Sequence, residues 1–297
     1  MDLRPGDVLS YSAGSTQTGP DGFRKLVPGR RSMLDALGRL WPELLATLGD
    51  RPILFLNAYP ATIGTFTPGI TVDTYLSQRV FTRAVQLGVV ADHPVILLAQ
   101  PLFVAELLSR HLAGGFPLPE RLMVWTGGYA MPGSLERMIT ALVDPHVSTF
   151  SIVQYFGAAE VDAGCLMARE RNADGELIYR PRRDVEVAVD GGRLLLTLRS
   201  SDGGTSIERF ATGDLARADG DGWVIRNPRR LHPDVDAAMA SWSDADWRRR
   251  TGYVRRDEDT LWMQLREGEI VEHDGELEHY DFGRRFSFSW LVKPHWR

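Results

Sequence analysis

Two glycine-rich segments carry residue types suited to binding an anion and a flat ring. The first runs Ser-Tyr-Ser-Ala-Gly-Ser-Thr-Gln-Thr-Gly-Pro-Asp-Gly-Phe-Arg-Lys from Ser10 to Lys25. Small residues let backbone N–H groups turn inward around phosphate oxygens, hydroxyls add donors, and Lys25 supplies a cation. The order is not Gly-x-x-x-x-Gly-Lys-[Ser/Thr], and a plain loop has the same composition. The second is Trp125-Thr-Gly-Gly-Tyr-Ala-Met-Pro132, where Gly127 and Gly128 would let a planar ring approach the backbone closely. An ordinary strand-to-helix turn reads the same way.

Two further features bear on reactivity. Cys165 is the sole cysteine, so an internal disulfide and a cysteine-built zinc site are both excluded. A thiolate accepts acyl groups when its pKa is lowered, but no activating neighbour is evident, and a small buried apolar role is the favoured reading. The run Glu272-His-Asp-Gly-Glu-Leu-Glu-His279 has metal-binding residue types, yet Asp274-Gly275 reads as a hairpin tip with solvated charges.

The elements that must position these segments follow from periodicity. Short apolar runs at Pro52–Asn57, Pro94–Ala99, Leu122–Thr126 and Phe150–Tyr155 alternate with amphipathic stretches at Val72–Leu87, Leu102–Leu112 and Pro132–Val143. That is the pattern of a parallel sheet covered by helices. Asp73 and Thr74 are expected as helix caps, Pro132 in a first turn, and a helix is expected directly after the 10–25 loop. From about residue 164, Val185–Val189 and Arg193–Arg199 alternate in β fashion, with Asp-Gly pairs beginning at Asp174, Asp190, Asp202, Asp219, Asp221 and Asp274. Such pairs favour turns between antiparallel strands. The expected fold class is therefore α/β, a parallel sheet flanked by helices and followed by a β-rich subdomain. The expected division is 1–163, 164–230 and 231–297.

Composition narrows the function classes. A 297-residue chain with 43% hydrophobic and 25% charged residues is neither disordered nor built of membrane spans. No apolar run nears the roughly 20 residues of a spanning helix, and the opening residues lack the order of a signal peptide, so a cytoplasmic location is expected. The formal charge of −5 offers no overall attraction to nucleic acid. The patches Arg248–Arg250 and Arg182-Arg183 read as solvated faces. Lys25 and Lys293 are the only lysines among 34 basic side chains.

Taken in order, the segments resemble the adenylate-forming superfamily of acyl-CoA synthetases, luciferases and peptide-synthetase adenylation domains, with some likeness to phenylacetate-CoA ligase and acyl-protein synthetase types. Its phosphate loop reads Ser-Gly-[Ser/Thr]-Thr-Gly-x-Pro-Lys, to which Ala13-Gly14-Ser15-Thr16 and Thr18-Gly19-Pro20 correspond. Gln154-Tyr-Phe-Gly-Ala-Ala-Glu160 is similar to Tyr-Gly-x-Thr-Glu, and Phe210-Ala-Thr-Gly-Asp214-Leu to Thr-Gly-Asp-Leu before an Asp-Gly hairpin.

The resemblance implies ATP and Mg²⁺. Gly14, Ser15, Thr16, Thr18 and Gly19 would meet the phosphates, with Lys25 and Thr16 in catalysis. Gly127, Gly128 and Tyr129 would border adenine, Tyr155, Phe156 and Gly157 would form the stacking segment, and Glu160 with Thr16 would hold the metal. Asp214 would bind the ribose hydroxyls, Arg229 the ribose and phosphate, and Lys293 would stand in for the catalytic lysine. Ala159 replaces the family's threonine, and Pro228 its hinge aspartate. The phosphate loop begins at residue 10, and Leu231–Arg297 stands where the mobile C-terminal domain would be, so a shortened member is expected.

The expected activity is ATP-dependent activation of a carboxylic acid as an acyl-adenylate, passed to an amine, thiol or carrier protein. Asn57–Gly69 is the expected wall of the acid pocket, or an ordinary connecting loop. A nucleotide- or acyl-adenylate-binding module that supports a partner enzyme, and an acyl-protein synthetase using Cys165, are the alternatives. A homodimer or hetero-complex is expected, with neither nucleic acid nor membrane as partner.

Overall fold

The computed structural model describes residues 8–11, 23–26, 33–58, 70–74, 77–128, 130–158, 161–199, 204–226, 253–256, 261–264 and 270–273. Strands β1 (Val8–Tyr11) and β2 (Phe23–Leu26) pair antiparallel and flank residues 12–22 in the sequence. A strand therefore intervenes before the helix expected after that loop. Helices α1 (Met33–Leu40) and α2 (Pro42–Thr47) follow, then β3 (Leu54–Asn57) and β4 (Ile70–Asp73).

The helix expected from Val72 instead starts six residues later, as α3 (Gln78–Val90), capped by the Ser77 hydroxyl, which accepts from the Val80 N–H at 3.4 Å. The expected caps are used across the sheet. Asn57 Nδ2 donates to Asp73 Oδ1 at 2.6 Å, and Thr74 donates to the Asn57 carbonyl through both its N–H and its hydroxyl. These bonds hold Ile70–Asp73 extended beside β3.

The chain continues through β5 (Val95–Ala99), α4 (Pro101–Ala113), β6 (Arg121–Thr126), α5 (Gly133–Val143) and β7 (Thr149–Ala158). Pro132 is the N-cap of α5, one residue before its first turn. Strands β4, β3, β5, β6 and β7 lie side by side and parallel. Alternate side chains go to opposite faces. Leu54, Leu56, Leu97 and Val124 pack with α3, α4 and α5, while Phe55, Ile96, Leu98, Met123 and Trp125 pack with α1 and α2.

The same sheet runs on in antiparallel fashion through β8 (Asp162–Arg171), β9 (Leu177–Pro181), β13 (Gly222–Arg226), β12 (Thr205–Asp219), β11 (Arg193–Arg199) and β10 (Val185–Asp190), eleven strands in all. Strands β9 and β10 stand at opposite ends of the last five, yet only residues 182–184 join them. Four spacings in a flat sheet would separate them by ~19 Å. The four residue steps from Pro181 to Val185 span at most ~14 Å, so the strands must curl towards closure. The curled interior holds Leu177, Tyr179, Val185, Leu194, Leu196 and Leu198. Strands β14 (Tyr253–Arg256), β15 (Leu261–Gln264) and β16 (Ile270–His273) form a separate antiparallel sheet.

Candidate functional site

The parallel strands end together at Asn57, Asp73, Ala99, Thr126 and the far part of β7. Open α/β sheets bind ligands at this carboxyl edge, where strand ends leave room between the chain's crossovers. The glycine turn leaves β6 here. A Cβ on Gly127 would lie 3.1 Å from the Tyr155 carbonyl oxygen, so a larger residue would crowd the turn against β7, and Gly128 has φ of +93°.

Two long polar side chains fix this turn from the sheet. The Met131 N–H donates to Gln154 Oε1 at 2.8 Å, and the Met131 carbonyl accepts from Arg171 Nη2 at 2.6 Å. Gln154 is only 2% exposed. The Thr126 hydroxyl, at the start of the turn, is buried and has no hydrogen-bond partner among the described residues. A buried unpaired donor is costly, so a bound polar group at this point would be stabilised.

On β7 the two aromatics of the Gln154–Glu160 segment part company. Tyr155 turns towards α1 and α2, its ring 5.2 Å from that of Trp125. Burial pushes its phenol well above its ordinary pKa, against the opposing charge of Arg182. Its carbonyl rather than its ring borders Gly127. Phe156 faces the other way, half-buried, with Tyr179 edge-on at 6.1 Å. Gly157 is exposed at a register shift between the Phe156–Leu166 and Ala158–Asp162 pairs.

Asp214 lies on β12 within a bulge. Arg193 pairs with Leu215 and Leu195 with Ala211, so residues 212–214 stand opposite Leu194 alone. Gly213, at φ +85°, permits the bulge, and the Thr212 hydroxyl accepts from the Asp214 N–H at 3.1 Å. A bulge re-aims side chains that regular pleating would alternate. Asp214 is 7% exposed, a carboxylate buried at a kink in a strand.

Lys25 lies on β2, opposite Leu9. Gly14, Ser15, Thr16, Thr18, Gly19, Tyr129, Glu160, Arg229 and Lys293 lie outside the described residues, as do most of the Asn57–Gly69 segment and residues 274–279 of the acidic run. The described site residues thus fall in three places: Lys25 on β2, Gly127, Gly128, Tyr155, Phe156 and Gly157 at the sheet edge, and Asp214 on the curled sheet. Sequence reasoning missed Thr126, Gln154 and Arg171. Gln154 and Thr126 stood inside quoted motifs, whereas nothing local distinguishes Arg171 from the other arginines.

Arg182 corrects an expectation. It is 4% exposed rather than solvated, and its guanidinium donates to Asp162 Oδ2 at 2.8 Å and to both oxygens of Asp184 at 2.9 and 3.0 Å. Cys165 lies beside this cluster, fully buried, its thiol donating to the Asp162 carbonyl at 3.0 Å. Burial, reinforced by the Asp162 charge, pushes that thiol up to about 12.

A 310 Å³ cleft opens at the opposite, amino edge of the sheet, between Gly88, Asp92, His93, Glu120 and Arg121. Arg121 is already committed there to Asp92 and to the Leu48 carbonyl. Among the described residues no cluster of His, Cys, Asp or Glu suits a metal ion, and no helix is long and apolar enough to cross a membrane.

Among solved structures, the chain is similar to an anthranilate CoA ligase crystallised with anthranoyl-AMP. The identity is 14%, the TM-score 0.52, and the likeness covers 97% of this chain and 61% of that one. It also matches an AMP-forming acyl-CoA synthetase/AMP-acid ligase II-like protein from Dyadobacter fermentans at 14% identity and a TM-score of 0.47, over 97% of this chain and 80% of that one. No family model and no curated protein matches the sequence. The fold is similar to that of the anthranilate CoA ligase, an α/β arrangement as the sequence pattern predicts. The chain spans 61% of the length of the anthranilate ligase.

Proposed function

We propose that this chain binds MgATP and activates a carboxylic acid as its acyl-adenylate. The observation that carries the reading is Asp214, a buried carboxylate raised on a Thr-Gly-Asp bulge in a fold shared with adenylate-forming ligases. A carboxylate accepts two hydrogen bonds at once, which suits the paired hydroxyls of a ribose. The glycine turn and the open side of Phe156 suit a flat base, and the free Thr126 hydroxyl offers it a donor.

In this reading Gly14, Ser15, Thr16, Thr18 and Gly19 cradle the phosphates, and Lys25 and Lys293 offset charge that builds on them. Glu160 and Thr16 would hold Mg²⁺, which would neutralise phosphate charge when bound. A substrate carboxylate oxygen forms a bond to the α-phosphorus while the bond to the β-phosphate's bridging oxygen breaks, releasing pyrophosphate. An amine, thiol or carrier protein then attacks the acyl carbon, and AMP leaves. Residues 1–163 supply the phosphate and adenine contacts, 164–230 the ribose contact, and 231–297 the closing segment.

ATP–pyrophosphate exchange across a panel of aromatic and aliphatic acids, anthranilate included, tests the proposal. Exchange that depends on one acid and disappears in Asp214→Ala is the expected result. Ala159 and Pro228 favour a second reading, a nucleotide-binding module serving a partner enzyme. Tight, Asp214-dependent ATP binding without exchange for any acid would support that one instead. For assembly we propose a homodimer, because Val80, Leu87 and Val90 leave an apolar stripe on α3, Val90 being 86% exposed.

A further inference from the structure

Arg171 is bound on three sides at the end of β8. Its Nη2 donates to the Met131 carbonyl of the glycine turn at 2.6 Å, Nε and Nη2 both reach Glu136 Oε2 on α5, and Nη1 donates to the Gly175 carbonyl at 2.8 Å. The last contact closes the tight turn of residues 172–176, which Arg171 opens. Asn172 Oδ1 accepts from the N–H groups of Asp174 and Glu176 inside this turn.

The far side of that turn grips the strands that carry Asp214. Asn172 Nδ2 donates to Asp219 Oδ2 at 2.8 Å, and Glu176 accepts from Arg226 on β13, at 2.7 Å to Nε, and from Arg217 on β12. Arg217 is three residues past Asp214, about 10 Å along a strand. One polar chain therefore runs from the glycine turn through Arg171 and the 172–176 turn to the ribose-motif strand. It bridges two segments that are neighbours neither in sequence nor in the order of strands.

We propose that Arg171 and the turn it opens form a clasp that sets the spacing between the glycine turn and the Asp214 strand, making Arg171 a positioning residue for the nucleoside. This rests on the adenylate reading. A base and its ribose are joined by one short single bond, so the groups that bind them must keep within a narrow range of separation. The planar, five-donor guanidinium holds the Met131 carbonyl, Glu136 and Gly175 together, which a lysine's single ammonium does not do with the same geometry. Gln154 grips the same Met131 from β7, so the clasp adjusts a turn already tied to the Phe156 strand.

The test compares ATP with inorganic tripolyphosphate, which lacks the nucleoside, by isothermal titration on the full chain. For Arg171→Met the expected result is ATP binding weaker by about tenfold or more, a loss of one well-made contact's worth of affinity, with tripolyphosphate affinity within about twofold. Arg171→Lys should fall between the two. Asn172→Asp, which keeps the acceptor that shapes the turn but removes the donor to Asp219, should show the same selective loss and serves if Arg171→Met does not fold. Equal weakening of both ligands, or unchanged ATP affinity in well-folded variants, would overturn the clasp. Failure of the wild type to bind ATP at all would overturn the adenylate reading, and the clasp with it.

Discussion

Asp214 and Cys165 show how burial gives two reactive groups opposite prospects. The aspartate lies on a bulge that re-aims residues 212–214, just before the point where β12 passes from pairing with β11 to pairing with β13. Hydrogen bonds to a charged acceptor contribute ~1.5–3 kcal/mol each. The Asp214→Ala variant, losing two such bonds to the ribose, should therefore bind ATP at least about 100-fold more weakly, measured by titration beside the exchange assay. The cysteine is sealed in an apolar cluster with its thiol bonded to a carbonyl, and its pKa is pushed up to about 12. Thiolate is then scarce at any physiological pH, and a group without thiolate is a poor acyl acceptor. Iodoacetamide at mildly alkaline pH should leave Cys165 unmodified in the native protein and alkylate it after unfolding in urea, as read by intact mass. Rapid native alkylation would restore the acyl-protein synthetase reading.

At the scale of elements, the ion pairs of Arg182 and of Glu176 join turns to strands. Arg182 ties the start of β8 to the three-residue link that closes the curled sheet, and Arg171 with Glu176 ties the next turn to β12 and β13. Burial alone would raise the Glu176 pKa, but hydrogen bonds from Arg226, Asn172 and Arg217 outweigh it and hold the carboxyl below its usual range. With the folded value below the unfolded one, the contribution is fully present above the unfolded pKa of about 4.3 and is lost as pH falls through the folded value. Melting curves on acidification should show a falling midpoint in that range, with a shallower fall in Glu176→Gln, which begins from a lower midpoint at neutral pH. Identical pH slopes for the two proteins would remove Glu176 from the account.

For the whole molecule, one sheet of eleven strands serves two purposes. Its parallel half offers a carboxyl edge, and its antiparallel half curls to present Asp214. The outer face of α3 is left with Val80, Leu87 and Val90 exposed, at offsets of seven and ten residues that keep them on one side of the helix. Light scattering at micromolar concentration should give the mass of a dimer, and Leu87→Glu with Val90→Glu should give that of a monomer without loss of melting temperature. A monomeric wild type would count against the homodimer.

Much of this was legible in the sequence because its signals are local. Alternation placed β3, β5, β6, β7 and β11 to within a few residues, Asp-Gly pairs marked the turns at 174, 190 and 219, and four short motifs in order implied the adenylate-forming fold. Residues 70–74 misled, since Asp73 and Thr74 have the chemistry of helix caps and only the presence of Asn57 on the neighbouring strand turns them to sheet bonding. Arg182 and Arg171 were equally opaque, for an arginine's role depends on which carboxylates and carbonyls come within 3 Å of it. Beside the nearby Asp184, Arg182 reaches Asp162, 20 residues back, and Arg171 reaches Met131 and Glu136 at 40 and 35 residues. Backbone propensity and side-chain period act over a few residues and fix the elements, whereas buried charge is satisfied across the fold, so only the tertiary structure decided which polar side chains hold the candidate site in place.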